Sequence, residues 1–265
     1  MKKLVLFIAL ASLSACSVKE DRAFCPAWCV VYSDGYVAEG CSGNVTCNVA
    51  TPWEDIYEYD HSEFSRFYTK GDLVLEVPRN EKLYLDVFCG VDEMDLNGSV
   101  LTIPMGFCCD CIYSGHGSII IRGEEGAAGL PLNKDFALLE MKVAGEIPDE
   151  PLFDFRILGN VDGYSLPGGA PHRGEFDYSP REESGHCYRA RLPRQADDTL
   201  LLDIMDKADG FLVARLPLGE IIRNLGYDWS VPDLKDISIV IYLSAANFEI
   251  EVTAWDNSEI INVIL

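Results

Sequence analysis

Lys82-Leu83-Tyr84-Leu85-Asp86-Val87 alternates without a break, with Leu83, Leu85 and Val87 on one side and Lys82, Tyr84 and Asp86 on the other. Successive side chains of an extended chain point to opposite faces. A period of two with one apolar face therefore predicts a strand of a half-buried antiparallel sheet. Working outward, Leu73, Leu75 and Val77 repeat the pattern and stop at Pro78. Further on, Phe153, Phe155 and Ile157 face away from Asp154 and Arg156. Ile237, Ile239, Ile241 and Leu243 form one stripe. Phe248, Ile250, Val252 and Ala254 form another, opposite Glu249, Glu251 and Thr253. Gly, Pro, Asn and Asp interrupt these runs at short intervals, as a β-sandwich requires.

One helix is expected. Leu218, Ile221, Ile222 and Leu225 stand at i, i+3, i+4 and i+7, with Pro217 near the start and Gly226 just past the end. It reads as a short crossover packed over a sheet edge. Residues 122–133 (Arg-Gly-Glu-Glu-Gly-Ala-Ala-Gly-Leu-Pro-Leu-Asn) lack periodicity and hold three glycines and a proline. A linker is expected over 124–133, between an N-terminal β-sandwich at 25–123 and a C-terminal one at 134–265, each long enough for its own core. The expected fold class is all-β, with two antiparallel β-sandwich domains and the short helix in the second.

The N-terminus has the layout of an export signal over residues 1–15. Lys2 and Lys3 precede the apolar run Leu4 to Leu13, which is well short of the roughly 20 residues that span a bilayer. Leu13-Ser14-Ala15-Cys16 resembles a lipobox, which implies cleavage before Cys16, diacylglycerol on its thiol, and a tether over 16–24. Acyl chains contribute about 0.8 kcal/mol per buried methylene, so two or three hold a protein stably. The following Lys19, Glu20 and Asp21 resemble the surface-export signal of Bacteroidetes lipoproteins. The expected location is the outer membrane, facing the exterior.

The formal net charge is −22, and removing Lys2 and Lys3 takes it to −24. Such a surface repels nucleic acid and anionic headgroups and favours solubility. The apolar and aromatic content is too high for disorder. Ten cysteines include Cys16; of the nine others, Cys25, Cys29, Cys41, Cys47, Cys89, Cys108, Cys109 and Cys111 precede residue 112, and Cys187 stands apart. In an exported chain disulfides are expected, concentrated in the first half, with an odd thiol left over. Spacing alone also allows zinc at Cys25, Cys29, Cys108 and Cys111, but the exported setting argues against it. Pairing cannot be read from the sequence.

No catalytic constellation emerges, and neither a metal nor a cofactor is expected. His61, His116, His172 and His186 lie outside any metal or triad spacing and read as surface or loop residues. Glu93-x-Asp95-x-Asn97-Gly98 begins like a calcium loop, yet the twelfth position is Pro104, so the bidentate acid is missing and a turn is expected. There is no phosphate-cradling glycine loop and no Gly-x-Ser-x-Gly elbow. Asp198-Thr199-Leu200 matches a short O-glycosylation pattern, or simply starts a strand. Trp28, Trp53, Trp229 and Trp255 could form a glycan platform; Trp28 and Trp255 adjoin apolar runs and are expected in the core.

The mature start, Cys16-Ser17-Val18-Lys19-Glu20-Asp21-Arg22-Ala23-Phe24-Cys25-Pro26-Ala27-Trp28, resembles that of the FimB-type fimbrial anchor lipoproteins of Bacteroidetes. So do four later stretches in order: Phe153 to Tyr164, Pro171 to Phe176, Phe211 to Leu218, and Ile250 to Trp255. The crowding at Cys41, Cys47 and Cys108 to Cys111 departs from that pattern, and the chain is short for it. The resemblance implies two transthyretin-like sandwiches, no catalytic residues, and a membrane-proximal subunit that binds a fimbrial shaft pilin. A sandwich with an open edge suits that role, because a partner strand can complete it. The apolar C-terminal residues Ile260, Ile261, Asn262, Val263, Ile264 and Leu265 read either as the last strand or as an element that pairs across the subunit joint. The alternative reading is a surface glycan-binding lipoprotein.

Overall fold

A computed structural model of the chain describes residues 25–33, 44–52, 55–59, 72–145, 152–243, 248–253 and 258–261. The export signal, Cys16 and the Lys19-Glu20-Asp21 tract lie outside the described residues.

Twenty strands and one helix are described. The first ten strands are β1 (Ala27–Ser33), β2 (Asn44–Ala50), β3 (Asp55–Tyr59), β4 (Asp72–Val77), β5 (Lys82–Val91), β6 (Asp95–Asn97), β7 (Val100–Thr102), β8 (Tyr113–Ile120), β9 (Glu125–Leu130) and β10 (Asn133–Lys134). They are followed by β11 (Phe136–Gly145), β12 (Phe153–Ser165), β13 (Ala170–Tyr178), β14 (Glu182–Ser184), β15 (Cys187–Pro193), β16 (Leu201–Asp206), β17 (Leu212–Leu216), α1 (Leu218–Asn224), β18 (Ile237–Leu243), β19 (Phe248–Thr253) and β20 (Ser258–Ile261).

The strands form four sheets, ordered β4-β1-β9, β10-β8-β5-β2-β3, β14-β15-β11-β18-β19-β20, and β17-β16-β12-β7-β6 with β13 also on β12. The fold is all-β, sheet packed on sheet, as the alternation predicts. Inward residues of the first pair of sheets, such as Cys29, Leu75, Leu83 and Leu85, are fully buried. Phe155 and Tyr188 meet edge-to-face across the second pair, with ring centroids 4.7 Å apart.

The helix forms where expected. Pro217 caps it, Leu218, Ile221 and Ile222 are its buried face, and Gly226 ends it at φ 81°, a conformation that suits glycine.

Two departures follow from packing. The stretch expected as a linker holds β9, which runs parallel to β1 with Trp28 beside Glu125 and Ser33 beside Leu130. Gly126 marks close packing: a Cβ there would sit 2.7 Å from Ile121 Cγ1. The small residues hide the strand's periodicity, and at Gly126 the absence of a side chain is what lets it fit. Second, the β6–β7 hairpin, from the first half of the chain, pairs with β12 of the second, Leu101 beside Tyr164. The buried apolar side chains of both halves form one contiguous cluster.

The cysteines depart as well. Cys25, Cys29, Cys47, Cys108, Cys109, Cys111 and Cys187 are free thiols, while Cys89 is disulfide-bonded, its partner outside the described residues. Cys47 and Cys109 behave as small core hydrophobes, and burial pushes both thiols well above their usual range.

Candidate functional site

A sheet edge presents unpaired N–H and C=O groups, and proteins usually guard it with charge. The edge strand β6 carries Asp95, and β14 carries Glu182 and Glu183. The edge strand β17 is different. Phe211, just before it, is 71% exposed, and Leu212 and Val213 are exposed beside it. The register of β16 and β17 shifts between Ile204 and Met205. That irregularity breaks the alternation, so two consecutive apolar side chains reach solvent together. Further along, Ala214 and Leu216 return to the core.

The one cation on β17 does not guard the edge. Arg215 reaches across to β16 and donates to both carboxylate oxygens of Asp203, at 2.7 and 2.8 Å. One strand further on, Arg156 grips Asp177 in the same bidentate way. Those hydrogen bonds hold the Asp177 carboxyl below its ordinary range. Charge on this face is thus spent within the sheet, leaving an apolar edge that no charge guards among the described residues.

The C-terminal candidate is divided. Ile260 and Ile261 belong to β20 and pair with Glu251 and Ile250 of β19, as a last strand would. Asn262, Val263, Ile264 and Leu265 lie outside the described residues. β20 ends its sheet, so among the described residues its far side is unpaired.

His116 corrects the sequence reading. His116 lies within β8, with Nδ1 2.8 Å from Asp86 Oδ1 and Nε2 2.8 Å from Ser114 Oγ. The order Asp–His–Ser is that of a hydrolytic triad, but Ser114 is only 1% exposed and its hydroxyl donates to Asp135. A nucleophile must be reachable, and this one is sealed in the core. Asp135 also accepts Arg194 Nε at 2.8 Å, and Arg194 spans to the carbonyls of Val231 and Pro232 at 2.7 and 2.8 Å. The network is a structural polar core. Periodicity could not reveal it, because its members come from separate strands and turns. His172 pairs with Asp162 at 2.7 Å, and His186 occupies a tight turn at φ 60°. His61 lies outside the described residues.

The calcium-like stretch is the β6–β7 hairpin. Asp110 supports its approach, accepting the backbone N–H groups of Asp92, Glu93 and Met94 at 2.8–2.9 Å. Among the described residues no three His, Cys, Asp or Glu side chains are placed to hold a metal, and no helix is long and apolar enough to cross a membrane. Thr199 is exposed and its hydroxyl donates to Asp197. Trp28, expected in the core, is 48% exposed, because it falls on the outward side of β1. Trp229 is half-buried against Tyr227, centroids 4.6 Å apart, beside a cleft of about 630 Å³ that Gln195 and Arg223 also line. Trp53 and Trp255 lie outside the described residues.

No family model and no curated protein matches the chain. Its fold is nevertheless shared with solved structures. The fimbrial anchor protein Mfa2 from Porphyromonas gingivalis superposes with a TM-score of 0.67 at 10% identity, over 90% of this chain and 99% of that one. A DUF1812 protein from Bacteroides thetaiotaomicron, for which polysaccharide binding has been suggested, gives 0.65 at 11% identity, over 90% and 98%. A fimbrial assembly protein from Parabacteroides distasonis gives 0.51 at 12% identity, over 90% and 98%. At these identities the likeness is one of fold.

Proposed function

We propose that the chain is a cell-surface lipoprotein that holds a fimbrium to the outer membrane, with lipid on Cys16 as the membrane attachment and a shaft pilin as the partner. The observation that carries this reading is the β17 edge, where Leu212 and Val213, with Phe211 just before them, stand exposed on a strand whose outer side is unpaired and without free charge among the described residues. An extended pilin segment added there gains a main-chain ladder, and its alternate side chains gain apolar contacts. Ile260 to Leu265 is a second pairing element, able to extend the β20 side. The fold shared with Mfa2, itself a fimbrial anchor protein, supports the reading.

The test replaces Leu212 and Val213 together with lysine, which restores the charge that guards other edges. Both side chains are exposed, so the variant should melt within a few degrees of the parent. It should no longer capture sheared fimbriae in a pull-down. Undiminished capture by a folded double variant would reject β17 as the joint.

A further inference from the structure

The three-stranded sheet β4-β1-β9 has an outer face as distinctive as its core face. Ala27, Cys29 and Val31 of β1 point inward and are fully buried, as are Leu75 and Val77 of β4. The alternate residues point out. On β1 these are Trp28, Val30 and Tyr32; on β4 they include Val74 and Glu76; on β9 they are Glu125, Ala127 and Gly129. Register arranges them in rows. Val30 lies between Val74 and Ala127, and Trp28 lies between Glu76 on one side and Glu125 on the other. Neighbouring strands are about 4.8 Å apart, so each carboxylate stem begins next to the indole.

Trp28 is 48% exposed and Val74 56%, which is unusual for side chains in a sheet with a well-packed opposite face. Glu76 and Glu125 are exposed too, and neither is in a salt bridge among the described residues. The row is therefore an aromatic surface with an uncompensated negative charge on each flank. A ring face attracts cations by about 0.5–2 kcal/mol according to desolvation, and flanking carboxylates add to the same preference.

We propose that this face is a docking surface for a partner protein, which it takes by arginine or lysine side chains laid over Trp28. The alkyl stem of such a side chain would lie on the indole, its head group would reach Glu76 and Glu125, and an apolar neighbour would cover Val30, Val74 and Ala127. Charge complementarity selects this occupant. At a net −22 a second copy of the chain is repelled, and a neutral ligand leaves both carboxylates unanswered. The surface is separate from the β17 edge, which belongs to another sheet, so it stands or falls apart from the anchoring reading.

The probe is a synthetic octapeptide of alternating arginine and valine, titrated calorimetrically into the full mature chain at 150 mM salt. Trp28→Ala and the double variant Glu76→Gln/Glu125→Gln should each weaken binding at least tenfold. The double variant Glu175→Gln/Glu220→Gln removes the same charge from exposed sites elsewhere and should stay within twofold of the parent. Equal weakening by both double variants would show attraction by bulk charge and overturn the proposal. So would no binding at all, or binding of a neutral β-glucan oligosaccharide that depends on Trp28 when the peptide does not bind. Circular dichroism melts confirm that each variant is folded.

Discussion

Asp86 and His116 face each other across β5 and β8, with His116 Nδ1 2.8 Å from Asp86 Oδ1. The same oxygen accepts the backbone N–H of Gly168 at 2.7 Å, and Gly168 lies in the turn between β12 and β13. One carboxylate, 1% exposed, therefore joins two strands from the first half of the chain to a turn of the second. Phe88 extends the junction, meeting the ring of Tyr164 at 6.4 Å.

Asp86→Ala should accordingly weaken the whole molecule rather than one sheet. It strands the Gly168 donor and removes the partner of His116, a class of change that costs about 3 kcal/mol. Urea unfolding at pH 7 should show a lower midpoint with one transition and an unchanged slope. Two separated transitions would mean that the halves unfold independently of this junction.

Acid should destabilise the second half through identified carboxylates. Burial raises the Asp197 pKa, but hydrogen bonds from Thr199, Arg173 and Asn160 outweigh it and hold the carboxyl far below its ordinary range. Asp177 is lowered in the same direction by Arg156. A carboxyl whose folded value is depressed contributes stability that is complete above the unfolded value, near pH 4, and is lost as pH falls through the folded one. The melting temperature should thus be nearly flat from pH 7 to 5 and fall below about pH 4. Asp197→Asn should melt lower at pH 7 and lose less on acidification. Parallel curves for parent and variant would contradict the assignment.

Where apolar and polar residues alternate, the strands were legible in the sequence, although Asp86, on the polar side of β5, is itself buried. Lys82 to Val87, the Phe153 stretch and the Ile237 stripe all lie in strands, and the helix from Leu218 ends before Gly226 as its pattern requires. What stayed hidden has physical causes. β9 is mostly glycine and alanine, with Gly126 packed where Ile121 leaves no room for a Cβ, so it carries no apolar period. Trp28 adjoins an apolar run but lies on its outward phase. The Asp86–His116–Ser114 network is made by tertiary pairing, and Ser114 and His116 are recognisable only once β8 lies beside β5. The exposure of the β17 edge depends on a register shift that residue types do not encode.

The proposed lipid attachment gives a separate prediction. Cys16→Ala should leave the fold unchanged, because it lies before the first described strand, and move the protein from the detergent phase to the aqueous phase in a phase-separation assay. A variant that still partitions with detergent would remove the lipid anchor from the account.

The measurement closest to the central claim is the share of fimbrial antigen retained on cells after gentle washing. It is compared among cells with the parent chain, cells with the Leu212→Lys/Val213→Lys variant at equal surface abundance, and cells lacking the gene. The account predicts retention by the parent and release of intact fimbriae into the medium in the other two. Fimbriae that stay attached in normal amount and length when the gene is deleted would contradict it.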